Sequence, residues 1–151
     1  AHGQSAQPLA AKRISKVYAM KAGIAIYGML ANKQAITDIV DTRIYPESAP
    51  EGAVNPYIVY SIVGNSPVET KEETVIDEAQ IEIFCVTRTY SSCMDLADTV
   101  RGVLDRRDYT NTDAGKEIDV QSMLYTNEVT EVNQDRNTYV AIQDYTMRIK
   151  K

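Results

Sequence analysis

The residues that could do chemistry in this chain are few. It has 151 residues, one histidine (His2) and two cysteines, Cys85 and Cys93. A Ser-His-Asp or Cys-His arrangement needs an imidazole as base. The only one stands in Ala1 to Ala11, a small, polar stretch that reads as a flexible arm. A zinc site needs several closely spaced His and Cys ligands. Cys85 and Cys93 are eight positions apart and lack a histidine partner, so no metal is expected. Both read as small buried hydrophobes, Cys85 in an apolar strand pattern and Cys93 on the apolar side of a helix. Neither G-x-x-x-x-G-K-[ST] nor G-x-G-x-x-G occurs, so no phosphate cradle is expected. The carboxylate pairs Glu72/Glu73, Asp77/Glu78 and Glu117/Asp119 fall at loops or strand edges, where solvated charge is the ordinary role. The expectation is a protein without catalytic equipment and without a cofactor.

Composition narrows the class. Hydrophobic residues are 44% and charged residues 25%, which is globular rather than disordered. No apolar run approaches the roughly 20 residues of a membrane-spanning helix. The formal charge of −5 is unevenly spread. Residues 1–37 hold Lys12, Arg13, Lys16, Lys21 and Lys33 and no acid, while the remainder carries 11 basic and 21 acidic side chains. Such polarity suits stacking on copies of itself or on an oppositely charged partner. The acidic body argues against a sequence-reading nucleic-acid binder, which needs clustered Lys and Arg. Ten tyrosines against one phenylalanine and no tryptophan also fit a surface that meets other proteins, since a tyrosine ring can be buried while its hydroxyl stays wet.

These residues need a scaffold, and the hydrophobic periods predict one. A helical stretch starts at about Lys12 or Met20 and runs to about Thr37, with Met20, Ile24, Tyr27 and Ala31 as an apolar stripe. Ile36, Ile39 and Val40 close the segment. Gly23 and Gly28 would each cost about 1 kcal/mol there, so close approach to a neighbour is their expected use. Tyr45 to Pro56, with three prolines, reads as a loop. Tyr57 to Val63 is a β-branched and aromatic strand. Gly64 to Thr74 reads as a long charged loop. Val75 to Thr87 alternates, with Ala79, Ile81, Ile83 and Cys85 on one side and Gln80, Glu82, Phe84 and Val86 on the other. Ser92 to Asp95 fits a capping box. Leu96, Ala97, Val100, Val103 and Leu104 then form a helical stripe. Asp108 to Gly115 reads as a polar loop. Strands around Ile118 to Leu124 and Tyr139 to Ile149 form a closing hairpin, turning at Asn133 to Asn137.

The expected fold is α+β: an antiparallel four-stranded sheet with two helices on one face, in the order α-β-β-α-β-β. Residues 1–19 would be a basic N-terminal arm or helix extension, and residues 20–151 a single domain.

Asp41-Thr42-Arg43-Ile44-Tyr45-Pro46, then Ala49-Pro50, then Pro56-Tyr57-Ile58-Val59-Tyr60, resemble the tail-completion, or tail-terminator, proteins of long-tailed bacteriophages and prophages. The strand Ala79 to Val86, the helix Met94 to Leu104 and the hairpin carrying Asp135-Arg136 look similar as well. The resemblance covers about residues 20–150 and leaves the basic arm without a role. It implies a virion protein, assembled in the bacterial cytoplasm. The protein would form a homo-hexameric ring at the head-proximal end of the tail, ending tube polymerisation and joining tail to head. Its partners would be itself, the tail-tube protein and the head–tail connector, with no membrane, and DNA would pass without specific binding. Subunit or partner contacts are expected at Lys12, Arg13, Lys16, Arg43, Tyr45, Glu69, Lys71, Asp135 and Arg136. Acids lining the channel are expected at Glu72, Glu73, Asp77 and Glu78. Two other classes stay open: a connector or neck ring, told apart by binding to heads rather than tubes, and a small host enzyme or ligand-binding domain, told apart by a buried pocket with convergent polar groups.

Overall fold

The computed structural model describes residues 21–68 and 76–151. Helix α1 occupies residues 21–31 of that range, and after a break at Asn32 and Lys33 helix α2 spans Gln34–Val40. Then come β1 (Ile44–Pro46), β2 (Tyr57–Pro67), β3 (Ile76–Thr87), α3 (Tyr90–Leu104), β4 (Tyr109–Asp113), β5 (Lys116–Asn133) and β6 (Thr138–Lys150). The class is α+β, but the sheet has six strands, not four, and it is mixed. Its order is β1-β2-β3-β6-β5-β4. β1 runs parallel to β2, and every other pairing is antiparallel.

Both unexpected strands are short edge strands cut from sequence that reads as loop. β1 takes Ile44 onto Ile58, Tyr45 onto Val59 and Pro46 onto Tyr60, and the chain turns away at Glu47, whose N–H still reaches the Tyr60 carbonyl but whose φ is +63°. β4 is Tyr-Thr-Asn-Thr-Asp, with four of its five residues exposed. Pairing with β5 at Lys116 to Val120 holds it extended, not any apolar pattern of its own. β2 also runs on to Pro67, through residues expected to be loop, after a bulge between Ile62 and Gly64.

The expected alternation of β3 holds. Ala79, Ile81, Ile83 and Cys85 are buried with Ile58, Ala141, Tyr145, Met147 and Ile149 under the helices. α3 buries Cys93, Leu96, Ala97, Val100 and Leu104 on that same side. Its start differs from the expected capping box at Ser92. Thr89 is the cap, and its side chain accepts the Ser92 backbone N–H at 3.2 Å. The helix therefore begins a turn earlier.

In α1 the buried side chains are Ala22, Ala25, Ile26, Met29 and Leu30, whereas Tyr27 of the expected stripe is exposed. Ile24 and Ala31 of that stripe are partly buried against the core, and Met20 lies outside the described residues. Gly28 serves the expected close approach: a Cβ there would overlap the Tyr109 hydroxyl.

Candidate assembly surface

Pairing registers line up the side of the sheet that the helices leave uncovered. One row across four strands is Val59, Phe84, Ile142 and Val129. The row beside it is Tyr57, Val86, Val140 and Glu131. On the other side of the apolar row come Ser61, Glu82, Asp144 and Asn127. Further along, Gln80 accepts a hydrogen bond from Thr146 at 3.0 Å, and Glu78 pairs with Arg148 at 3.3 Å. This face is thus apolar toward one end and polar, with an acidic band, toward the other.

Within that band Glu82 stands directly opposite Asp144 on the neighbouring strand. Like charges at opposed positions destabilise a sheet. Asn127 softens the clash by donating its side-chain N–H to Asp144 at 3.3 Å. The pair weakens the fold, so folding does not account for it.

The structure sorts the residues singled out from sequence. Lys12, Arg13, Lys16, Glu69, Lys71, Glu72 and Glu73 lie outside the described residues. Asp77 points to the helix side and is only 3% exposed, because strand alternation gives it the same face as Ala79 and Ile81. That burial removes it from any wall formed by the surface of this chain. Glu78 is on the uncovered face. Arg43 Nε donates to the Pro56 carbonyl at 2.9 Å, and Tyr45 leans on Tyr57 with ring centroids 5.9 Å apart. Both fasten the Pro-rich loop. Asp135 and Arg136 are exposed in the β5–β6 turn. The loop and this turn meet at one end of the sheet, around a depression of about 230 Å³ lined in part by Asn55, Tyr57, Arg136 and Val140. Arg43, Tyr45 and Arg136 are thereby placed toward one end of the molecule, through Pro56 and Tyr57.

Glu82, Asp144, Glu131 and the apolar row were missed as site residues. The two-residue alternation around Phe84 and Ile142 already places each on its strand's second face. What the sequence lacks is the register that sets Glu82 beside Asp144.

The described residues show little reactive chemistry. Cys93 Sγ donates to the Cys85 carbonyl at 3.6 Å, and burial pushes both thiols up, away from the reactive thiolate. Among the described residues no group of three or more His, Cys, Asp or Glu could hold a metal. A depression of about 460 Å³ beside Glu131 to Asp135 is open and lies on the surface of the hairpin. No described helix is long and apolar enough to cross a membrane.

Among the described residues the notable features of this small α+β chain are its surfaces and edges. The family model for tail completion protein gp17 matches residues 24–150. The chain belongs to that family, and so to the structural proteins of phage tails. Among solved structures it resembles a chain of the virion of a native gene transfer agent particle. The TM-score is 0.70 at 13% identity, covering 87% of this chain and 95% of that one. A second solved chain has a TM-score of 0.55 at 7% identity, covering 88% of this chain and 95% of that one. At these identities the likeness is one of fold. No curated protein sequence matches the chain.

Proposed function

We propose that this protein is the terminator of a phage tail, a homo-hexameric ring at the head-proximal end that stops tube polymerisation and joins tail to head. The observation that carries the reading is the acidic band of Ser61, Glu82, Asp144 and Asn127 on the uncovered sheet face. Closing the sheet around an axis with its helices outside turns this band toward the channel. There the Glu82–Asp144 repulsion, a cost to folding, becomes useful. Phosphates passing such a wall release no counterions onto it, so DNA slides without binding. The channel acids of this reading are Glu78, Glu82, Glu131 and Asp144 among the described residues, with Glu72 and Glu73 retained from the sequence.

Electron micrographs of particles assembled without the protein test the reading. Abnormally long, headless tails are the expected result. Tails of normal length that fail only to join heads would overturn it in favour of a connector or neck ring.

A further inference from the structure

The sheet has two long outer strands, and each is covered along only part of its length. β1 covers β2 at Ile58 to Tyr60. Next along, the Tyr60 carbonyl accepts the Glu47 N–H, and the Glu47 carboxylate takes the Ser61 hydroxyl and the Ile62 N–H. From Val63 to Pro67 nothing among the described residues pairs with the outer edge of β2. On the far side, β4 covers β5 from Lys116 to Val120. The Met123 carbonyl accepts the Arg106 N–H, and the Tyr125 N–H donates to Asp105. From Thr126 to Asn133 the outer edge of β5 has no strand beside it among the described residues. Neither stretch contains a lysine, and proline appears only at its very end, Pro67, so edge protection is limited to the bulges where the stretches begin, at Ile62/Gly64 and Tyr125/Asn127, and to Glu128 and Glu131 on β5. Both carry exposed valines: Val63 is 56% exposed, Val129 47% and Val132 55%.

We propose that copies of this chain join head to tail by strand addition, the free part of β5 in one copy pairing with the free part of β2 in the next. Strand sense permits it. β2, β3, β6 and β5 are successively antiparallel, so β2 and β5 run in opposite directions. A rotated copy laid beside β5 therefore continues the antiparallel ladder. A β5-to-β5 contact would instead bury the same edge on both copies and close as a two-fold dimer.

The short strands fix the stagger. Thr130 is level with Ala141, and Asn65 with Ala79 and so with Met147, which sets the two free parts about six residues apart along β6. With that offset, β1 of the next copy lies beyond the β5–β6 turn, and β4 clears the end of β2. Without it, β1 would occupy the place of the partner strand. The even offset also keeps faces matched. Val129 meets Ser66 on the uncovered face, and Thr130 meets Asn65 on the helix face. An advance of about 20 Å across four strands about 4.8 Å apart tilts the strands by about 45°, close to the tilt of closed barrels. Repeated head to tail, such a step closes into a ring. The pairing rests on the tail reading above only for that closure.

Two exposed positions give the test: Ser66→Cys and Val129→Cys in one chain, oxidised under mild conditions. The native cysteines are buried and do not compete. Loss of the monomer band into a ladder ending at a closed multimer is expected for the double variant, with monomer retained in each single variant. Val129→Cys paired with Asn111→Cys on β4 should stay monomeric. Efficient dimers from Val129→Cys alone, or a double variant that remains monomer, would overturn the proposal. Cross-linking with tails of normal length in particles lacking the protein would overturn the terminator reading and leave the edge pairing standing. Long tails without cross-linking would do the reverse.

Discussion

The side-chain N–H groups of Gln143, at the centre of β6, donate at 2.8 Å both to the Ala97 carbonyl in α3 and to the Glu128 carboxylate on β5. Its carbonyl accepts the Tyr145 hydroxyl at 2.7 Å, and Glu128 also accepts the Tyr125 hydroxyl at 3.2 Å. The Arg101 guanidinium lies 3.8 Å from the centre of the Tyr125 ring. One fully buried amide on β6 thus ties the helix layer to β5, the strand that carries one of the two free edges. Gln143→Leu should lower stability by about 2–3 kcal/mol, because the Ala97 carbonyl and the Tyr145 hydroxyl lose a partner while staying shielded from water. Urea denaturation measures this, and a loss below about 0.5 kcal/mol would remove the network from the account of stability.

Gly28→Ala is expected to destabilise despite alanine's helix preference of about 1 kcal/mol, since the added methyl meets the Tyr109 hydroxyl. Tyr109→Phe takes that oxygen away but leaves the ring carbon Cζ within 2.8 Å of the new methyl. The double variant should therefore recover only part of the loss, and thermal melts of all four proteins form the cycle. Additive effects would contradict the contact.

The pair Glu82 and Asp144 predicts a stabilising substitution. Glu82→Gln removes like charge from directly opposed positions and should raise stability by a few tenths to about 1 kcal/mol. Glu82→Lys should do at least as well and, under the proposed function, slow DNA ejection while tail length stays normal. Ejection kinetics unchanged in Glu82→Lys particles would retire the acidic sleeve.

Alkaline pH should unfold the protein. Burial raises Cys85 and Tyr145 well above their ordinary values of 9.0 and 10.0, so both stay protonated in the fold and ionise first in the unfolded chain. The unfolded state then binds fewer protons, and stability falls as pH rises. It should be intact below about pH 8 and decline progressively through pH 9 to 11. Denaturation midpoints across that range give the slope, and a flat profile would contradict the burial of both groups.

Thr89→Ala should cost about 1 kcal/mol, the usual price of a lost helix cap. Ser92→Ala removes only a hydroxyl that bonds back to the cap residue, so its effect should be smaller. The reverse order would restore Ser92 as the cap.

The local patterns were legible where one face of an element is buried. Ala79, Ile81, Ile83 and Cys85 announce a strand, and Leu96, Ala97, Val100 and Leu104 a helix, because burial imposes a period of two or 3.6 on the residues themselves. The Arg-Ile-Tyr-Pro and Pro-Tyr-Ile-Val-Tyr segments carried the family. Tertiary structure alone decided the rest. β4 is extended only because β5 lies beside it, and a polar strand at an edge leaves no hydrophobic period to read. Tyr27 fits the apolar stripe of α1, and only packing leaves it exposed. Alternation within β3 told Asp77 from Glu78 by face, but which face the helices cover is set by packing. The meeting of Glu82 with Asp144, and the two uncovered stretches of β2 and β5, follow from register. Register is a relation between distant segments, fixed by the joint burial of both strands, and no single stretch of sequence contains it.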